Sequence, residues 1–111
     1  MDMRKRDLSG PGQRLVELMQ SIQFGKLEGL VIVDGEPQWH PGPRVQRNIL
    51  LGTKRALQKH VPPDDCVLKS AVVELFDYMD LVRNRTIDVL EIQHGLPFRL
   101  LLTEDTVPKY Q

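Results

Sequence analysis

One short pattern occurs twice in the chain and restricts the fold more than any other feature. A leucine, an isoleucine, a turn glycine and a proline recur in the same order: Leu30, Ile32, Gly35 and Pro37 in the first copy, and Leu90, Ile92, Gly95 and Pro97 in the second. Asp34-Gly35 and His94-Gly95 are two-residue turns between stretches with strand-forming side chains, which predicts two tight β-hairpins.

Each hairpin follows a pattern typical of an amphipathic helix. Apolar residues recur at the spacing of one helix face in both stretches: Leu15, Leu18, Met19 and Ile22 in the first, and Leu68, Ala71, Val72, Leu75, Met79 and Val82 in the second. Pro62-Pro63-Asp64-Asp65 predicts the start of the second helix. Residues 15–19 match residues 72–76 at an offset of 57, whereas the hairpins match at 60. We interpret the two copies as a duplicated α-β-β unit.

These patterns predict one α+β domain with the element order α-β-β-β-α-β-β. We expect a mostly antiparallel sheet of about five strands with both helices packed on one face. The predicted third strand covers 44–51, and 53–61 is left as either a short helix or a loop. The domain is expected to span 13–104, with repeat units at about 13–40 and 66–103. Residues 1–12 are predicted to form a flexible arm, and 105–111 a frayed tail.

Composition agrees with a folded domain in a reducing compartment. With 111 residues, of which 41% are hydrophobic, the chain is long enough to bury a core without cross-links. Cys66 is the single cysteine, so no intrachain disulfide can form. The basic start is not followed by an apolar segment, and no apolar run approaches the roughly 20 residues that span a bilayer. We therefore expect a cytoplasmic protein without membrane contact.

The two prolines after the turns make a specific prediction about the sheet. In a two-residue hairpin Pro37 lies opposite Ile32, and Pro97 lies opposite Ile92. The missing N–H at these positions would point away from the hairpin. Proline is tolerated there only where no further strand needs that donor, so each return strand should be exposed or bulged beside its turn. An open sheet edge is where another chain can add a strand.

Charge is balanced overall but unevenly distributed. Lysine plus arginine and aspartate plus glutamate each total 15. Between Pro37 and Pro63 there are no acids and five basic residues, namely Arg44, Arg47, Lys54, Arg55 and Lys59. This stretch, together with the Arg4-Lys5-Arg6 arm and stacking by Trp39, is one way to bind nucleic acid. The same distribution is also typical of a protein-binding or self-packing surface.

No arrangement of residues indicates catalysis, a metal or a cofactor. The candidate ligands His40, His60, His94, Cys66, Asp64 and Asp65 do not show the spacing of a zinc or metalloprotease site. Cys66 is predicted in the first turn of the second helix, but two neighbouring aspartates disfavour its thiolate. Asp77 and Asp80 share a helix surface that we interpret as solvated. No phosphate-binding glycine loop occurs.

The function favoured by these observations is a small, non-catalytic interaction module that self-associates, as a homodimer. We predict that it acts through a sheet edge or a surface formed by Trp39, Arg44, Arg47, Lys54 and Arg55, and a protein or peptide partner also fits. The alternative is a nucleic-acid-binding protein that uses residues 44–60 and the N-terminal arm.

Overall fold

The computed structural model describes residues 3–49, 51–52 and 67–106. In chain order the elements are a 3-10 turn (Lys5–Asp7), α1 (Gly10–Ile22), β1 (Gly25–Val33), β2 (Glu36–Pro37), β3 (Arg44–Arg47), α2 (Ser70–Val82), β4 (Arg85–Gln93) and β5 (Leu96–Leu101). The predicted α+β class and element order are confirmed. The predicted third strand is too long, since β3 ends at Arg47.

The five strands form one curled antiparallel sheet, in which β1 and β4 lie at the centre. β1 pairs with β4 along its whole length, β5 pairs with β4, and β2 and β3 pair with opposite ends of β1. The two helices cover one face of this sheet. The core between them is aliphatic apart from Phe76; its members are Leu15, Val16, Met19, Ile22, Leu27, Leu30, Ile32, Leu68, Val72, Leu75, Phe76, Met79, Ile87, Leu90 and Ile92.

The two halves match at one constant spacing of 60 positions. The helices begin at Gly10 and Ser70, and the long strands begin at Gly25 and Arg85. The helix offset of 57 predicted from sequence is therefore wrong. At a spacing of 60, Leu15 corresponds to Leu75, and both are buried. Equal element lengths are what a duplicated unit would give, and the duplication itself stays a prediction.

Each hairpin turn docks on the end of the helix from the other half. The Gly35 N–H donates to the Arg83 carbonyl at 2.8 Å, and the Gly95 N–H donates to the Gln23 carbonyl at 2.9 Å. Gln23 and Arg83 have φ near +60° and terminate their helices. Because these hydrogen bonds cross between the halves, each hairpin turn is held in place by the helix end of the other half.

The N-terminal segment is packed against the domain, which corrects the prediction of a flexible arm over 1–12. α1 begins at Gly10, three residues earlier than predicted, because the Ser9 hydroxyl caps it by accepting from the Gly12 N–H. Lys5 is 1% exposed, and its ammonium lies 2.7 Å from a carboxylate oxygen of Glu17. Arg4 forms a bridge with Val67. Residues 1 and 2 lie outside the described residues.

The second helix begins later than the sequence predicts. Its first residue is Ser70, and the residues before it are extended, because the Leu68 N–H donates to the Met3 carbonyl instead of entering a helical turn. Leu68 still reaches the core from this extended segment. Cys66 and the Pro62–Asp65 start signal lie outside the described residues, as do 53–61 and the tail beyond 106.

Candidate interaction surfaces at the two sheet edges

Two strands form the outer sides of the sheet over most of its length. We call the outer side of Arg44–Arg47 the β3 edge and the outer side of Leu96–Leu101 the β5 edge. Within residues 3–49, 51–52 and 67–106, no strand pairs with either edge. Unpaired N–H and C=O groups at a sheet edge can accept a strand from another chain.

The backbone of β3 presents two residues outward. The Asn48 N–H donates to the Phe24 carbonyl at 2.8 Å, which identifies this opposed pair as a hydrogen-bonded position of the ladder. Antiparallel ladders alternate between bonded and non-bonded pairs, and the register places Gln46 and Arg44 in bonded pairs with β1. The N–H and C=O groups of Val45 and Arg47 therefore point away from the sheet.

The same argument gives the outward backbone groups of β5. Gln93 and Leu96 flank a two-residue turn, so their backbones are hydrogen-bonded to each other. Because bonded pairs alternate, the next ones are Glu91 with Arg99 and Val89 with Leu101. Leu100, between these two, points its N–H and C=O outward. The register shifts at Phe98, which forms a bulge next to Pro97. The sequence prediction that the strand would be exposed or bulged beside its proline is thus confirmed.

Exposed apolar side chains mark the β5 edge. Phe98 is 57% exposed and Leu101 is 45% exposed, although both belong to a strand that packs on the rest of the sheet. Arg99 lies over the Phe98 ring at 5.7 Å and donates to the carboxylate of Glu91 on β4. This hydrogen bond lowers the pKa of Glu91 and raises the pKa of Arg99. The only charged side chain of β5 is therefore neutralised within the same sheet.

The β3 edge is cationic instead. All four of its residues are exposed, and they include Arg44 and Arg47. The Arg47 guanidinium donates to the Ser21 carbonyl at 3.0 Å, at the end of α1, so it stabilises the helix terminus while retaining its charge. Arg44 lies directly opposite Glu28 of β1 in the ladder. Ile49, just past the strand, is 52% exposed.

Trp39 does not belong to the same surface as Arg47. The Gln38 N–H bonds to the Val31 carbonyl near one end of β1, whereas Arg47 is opposite Gly25 at the other end. At about 3.3 Å per residue, these positions are about 20 Å apart. The predicted surface is therefore wrong as one cluster, and its members Lys54 and Arg55 lie outside the described residues.

The surroundings of Trp39 give it a structural role. Its indole N–H donates to the Pro11 carbonyl at 3.2 Å, and the Arg14 guanidinium lies 4.7 Å from the ring centre. These contacts join β2 to the start of α1. Arg14 covers one face of the Trp39 ring, and Lys5 is buried beside Glu17. Trp39 and Lys5, which the nucleic-acid alternative would use to bind its ligand, therefore already make contacts within the protein.

The candidate chemical groups do not form a cluster in the described parts of the chain. The His94 ring packs edge-to-face on Phe24, with ring centres 4.8 Å apart. Asp77 and Asp80 are exposed on α2. Among the residues described, no three histidine, cysteine, aspartate or glutamate side chains lie close enough to hold a metal ion.

Comparison with known proteins gives no relative from which a role could be transferred. No family model, curated protein or solved structure matches this chain. Among the residues that the structure describes, no helix has the length and hydrophobicity needed to cross a membrane.

Proposed function

We propose that this protein is a non-catalytic interaction module of the cytoplasm that self-associates into a dimer through the β5 edge. The observation that carries the proposal is the outer side of β5, to which no strand pairs within residues 3–49, 51–52 and 67–106, together with its exposed Phe98 and Leu101. Large apolar side chains beside unpaired backbone groups favour the addition of a further strand.

Symmetry restricts how two copies can pair. In an antiparallel pair related by a twofold axis, one residue must lie opposite its own copy. The outward backbone groups of Leu100 make it a suitable centre. Arg99 then lies opposite Leu101 of the partner subunit, and Phe98 lies opposite Leu102 of the partner subunit. Centring the pair on Arg99 would instead place two arginines face to face, which is unfavourable.

The paired stretch in such a dimer is short, so side chains must supply much of its affinity. Pro97 offers no N–H, and the bulge at Phe98 interrupts the ladder. Burial of Phe98 and Leu101 from both copies compensates for these missing ladder hydrogen bonds. It contributes a free energy of about 25 cal/mol per Å² of apolar surface removed from water. The Glu91–Arg99 ion pair means that no net charge is brought into this interface.

Measurement of molar mass against concentration by sedimentation equilibrium, using the full chain, tests the proposal. We expect a dimer that dissociates on dilution. Phe98→Glu and Leu101→Lys should each raise the dimer dissociation constant at least tenfold, or about 1.4 kcal/mol. The first places a carboxylate opposite Leu102 of the partner subunit, and the second places an ammonium opposite Arg99 of the partner subunit.

Leu81→Glu is the matched control, since Leu81 is 80% exposed on α2 and makes no part of the β5 edge. It should leave the dissociation constant unchanged. A protein that stays monomeric at the highest soluble concentration would overturn the proposal. A dimer that is lost in Leu81→Glu but retained in Phe98→Glu would overturn it equally.

A further inference from the structure

The β3 edge has the geometry of a strand acceptor, and it differs from β5 in having no internal interruption. Arg44–Arg47 contains no proline, and its register with β1 is continuous over four pairs. The outward groups of Val45 and Arg47 are spaced as a ladder requires. A strand from another molecule could therefore bond to both residues without any rearrangement of the sheet.

Charge decides which partner fits this edge. Arg44 and Arg47 are exposed on β3, and Lys26 follows on the neighbouring strand. The sequence from Pro37 to Pro63 has no acidic residue. Two β3 edges brought together would place two arginines from each copy along one seam, which disfavours the second copy that suits β5. An acidic strand would meet complementary charge instead.

We propose that the β3 edge binds an extended, acidic segment of a partner polypeptide by strand addition. Val45 lies opposite the buried Leu27, on the side of the sheet that the helices cover, and offers apolar contact to alternate residues of the segment. Arg44 lies on the opposite side. An acidic residue facing Arg44 would pair with its guanidinium group, whereas Arg47 shares the face of Val45 and already donates to Ser21.

A cavity at the end of the strand adds to this surface. It has a volume of about 390 Å³, and its polar lining includes Lys26, Gln46, Arg47, Asn48, Glu91 and Gln93. Because Glu91 already accepts from Arg99, the charges of Lys26 and Arg47 outweigh it. The cavity therefore leaves a net positive charge at the Arg47 end of β3.

The backbone favours a peptide over nucleic acid at this edge. Outward N–H and C=O groups alternate along β3, and only another polypeptide strand supplies both partners in that order. A phosphate chain accepts from N–H groups but leaves the carbonyl oxygens without donors. A single-stranded oligonucleotide is therefore the competing ligand in the test.

The experiment measures the fluorescence anisotropy of a labelled short peptide that alternates valine and glutamate, titrated with the full-length protein at low salt. Val45→Pro removes an outward N–H and leaves the bonds from Gln46 and Arg44 to β1 in place. We expect it to weaken peptide binding about tenfold. A peptide with lysine in place of glutamate should not bind measurably.

A charge variant covers the case in which Val45→Pro is unstable. Arg44→Gln should weaken binding by up to about fivefold, the size of a strong exposed ion pair. Arg6→Gln, which removes an exposed arginine from the N-terminal 3-10 turn, should have no effect. Phe98→Glu should also leave peptide binding unchanged, so that failure here is distinguishable from failure of the β5 dimer.

Two results would overturn the inference. One is equal affinity of the Arg44→Gln and Arg6→Gln proteins for the glutamate peptide. The other is an oligothymidine probe that binds more tightly than the peptide and is released by Arg44→Gln, since this would assign the edge to nucleic acid.

Discussion

The two outer strands flank the central pair of strands from opposite sides, yet their chemistry is opposite. β5 carries the exposed Phe98 and Leu101, and its one charge is neutralised by Glu91. β3 carries two exposed arginines, and one of them also stabilises the end of α1. An edge without net charge can face its own copy, whereas a cationic edge repels it. The difference shows how one sheet can separate self-association from binding of another partner.

The largest expected effects test whether both edges rest on a single core. Leu15→Ala and Leu75→Ala remove buried side chains at corresponding positions of α1 and α2. Each should lower the free energy of unfolding by about 2–5 kcal/mol, as measured by urea denaturation. A loss below about 0.5 kcal/mol in either variant would show that its side chain is not part of the core. Two separate unfolding transitions would indicate independently stable halves.

A smaller effect should separate the β3 edge from the β5 edge. A Cβ at Gly25 would lie 2.1 Å from the backbone carbonyl oxygen of Gln46, and Gly25 has φ of +158°. We expect Gly25→Ala to displace β3 and to lower stability by about 1–3 kcal/mol. Hydrogen exchange should show the Gln46 and Asn48 amides exchanging faster, while the Arg99 amide on β5 keeps its protection.

Gly10→Ala is the control for this substitution, because a Cβ at Gly10 would meet no atom within 4 Å. It should leave amide exchange in β3 unchanged. Equal loss of amide protection in β3 and β5 on Gly25→Ala would show that the two edges are not separable.

The smallest effect concerns the ion pair that neutralises β5. The hydrogen bond from Arg99 lowers the pKa of Glu91, so the folded state favours the charged carboxylate. The resulting stabilisation is present above the ordinary glutamate pKa and is lost as the pH falls through the lowered value. Arg99→Gln should therefore lower the urea midpoint near neutral pH and leave it unchanged in strong acid. A difference that persists in acid would contradict this assignment.

Much of the backbone architecture could be predicted because it depends on local signals. The turns at Gly35 and Gly95, and the registers Ile32–Pro37 and Ile92–Pro97, agree with the prediction. Turn chemistry and proline geometry act within a few residues, so they need no knowledge of the rest of the fold.

The errors arose where distant contacts override local preference. The N-terminal segment is polar and contains glycine and proline, yet Lys5 is buried and forms an ion pair with the partly exposed Glu17. Leu68 follows an apparent helix start, but its N–H bonds to Met3 in an extended bridge. The surface predicted around Trp39 failed for the same reason, since Trp39 and Arg47 lie near opposite ends of β1.

The sequence by itself determined two amphipathic helices, two tight hairpins, their order, and the prolines that keep a strand at the edge of the sheet. Only the tertiary structure decided which edges stay open, that Arg99 is neutralised by Glu91, and that Arg47 caps α1 while Arg44 faces Glu28. Hydrogen-bonding direction and apolar periodicity are properties of neighbouring residues. The net charge and exposure of an edge depend on side chains that are brought together from separate elements.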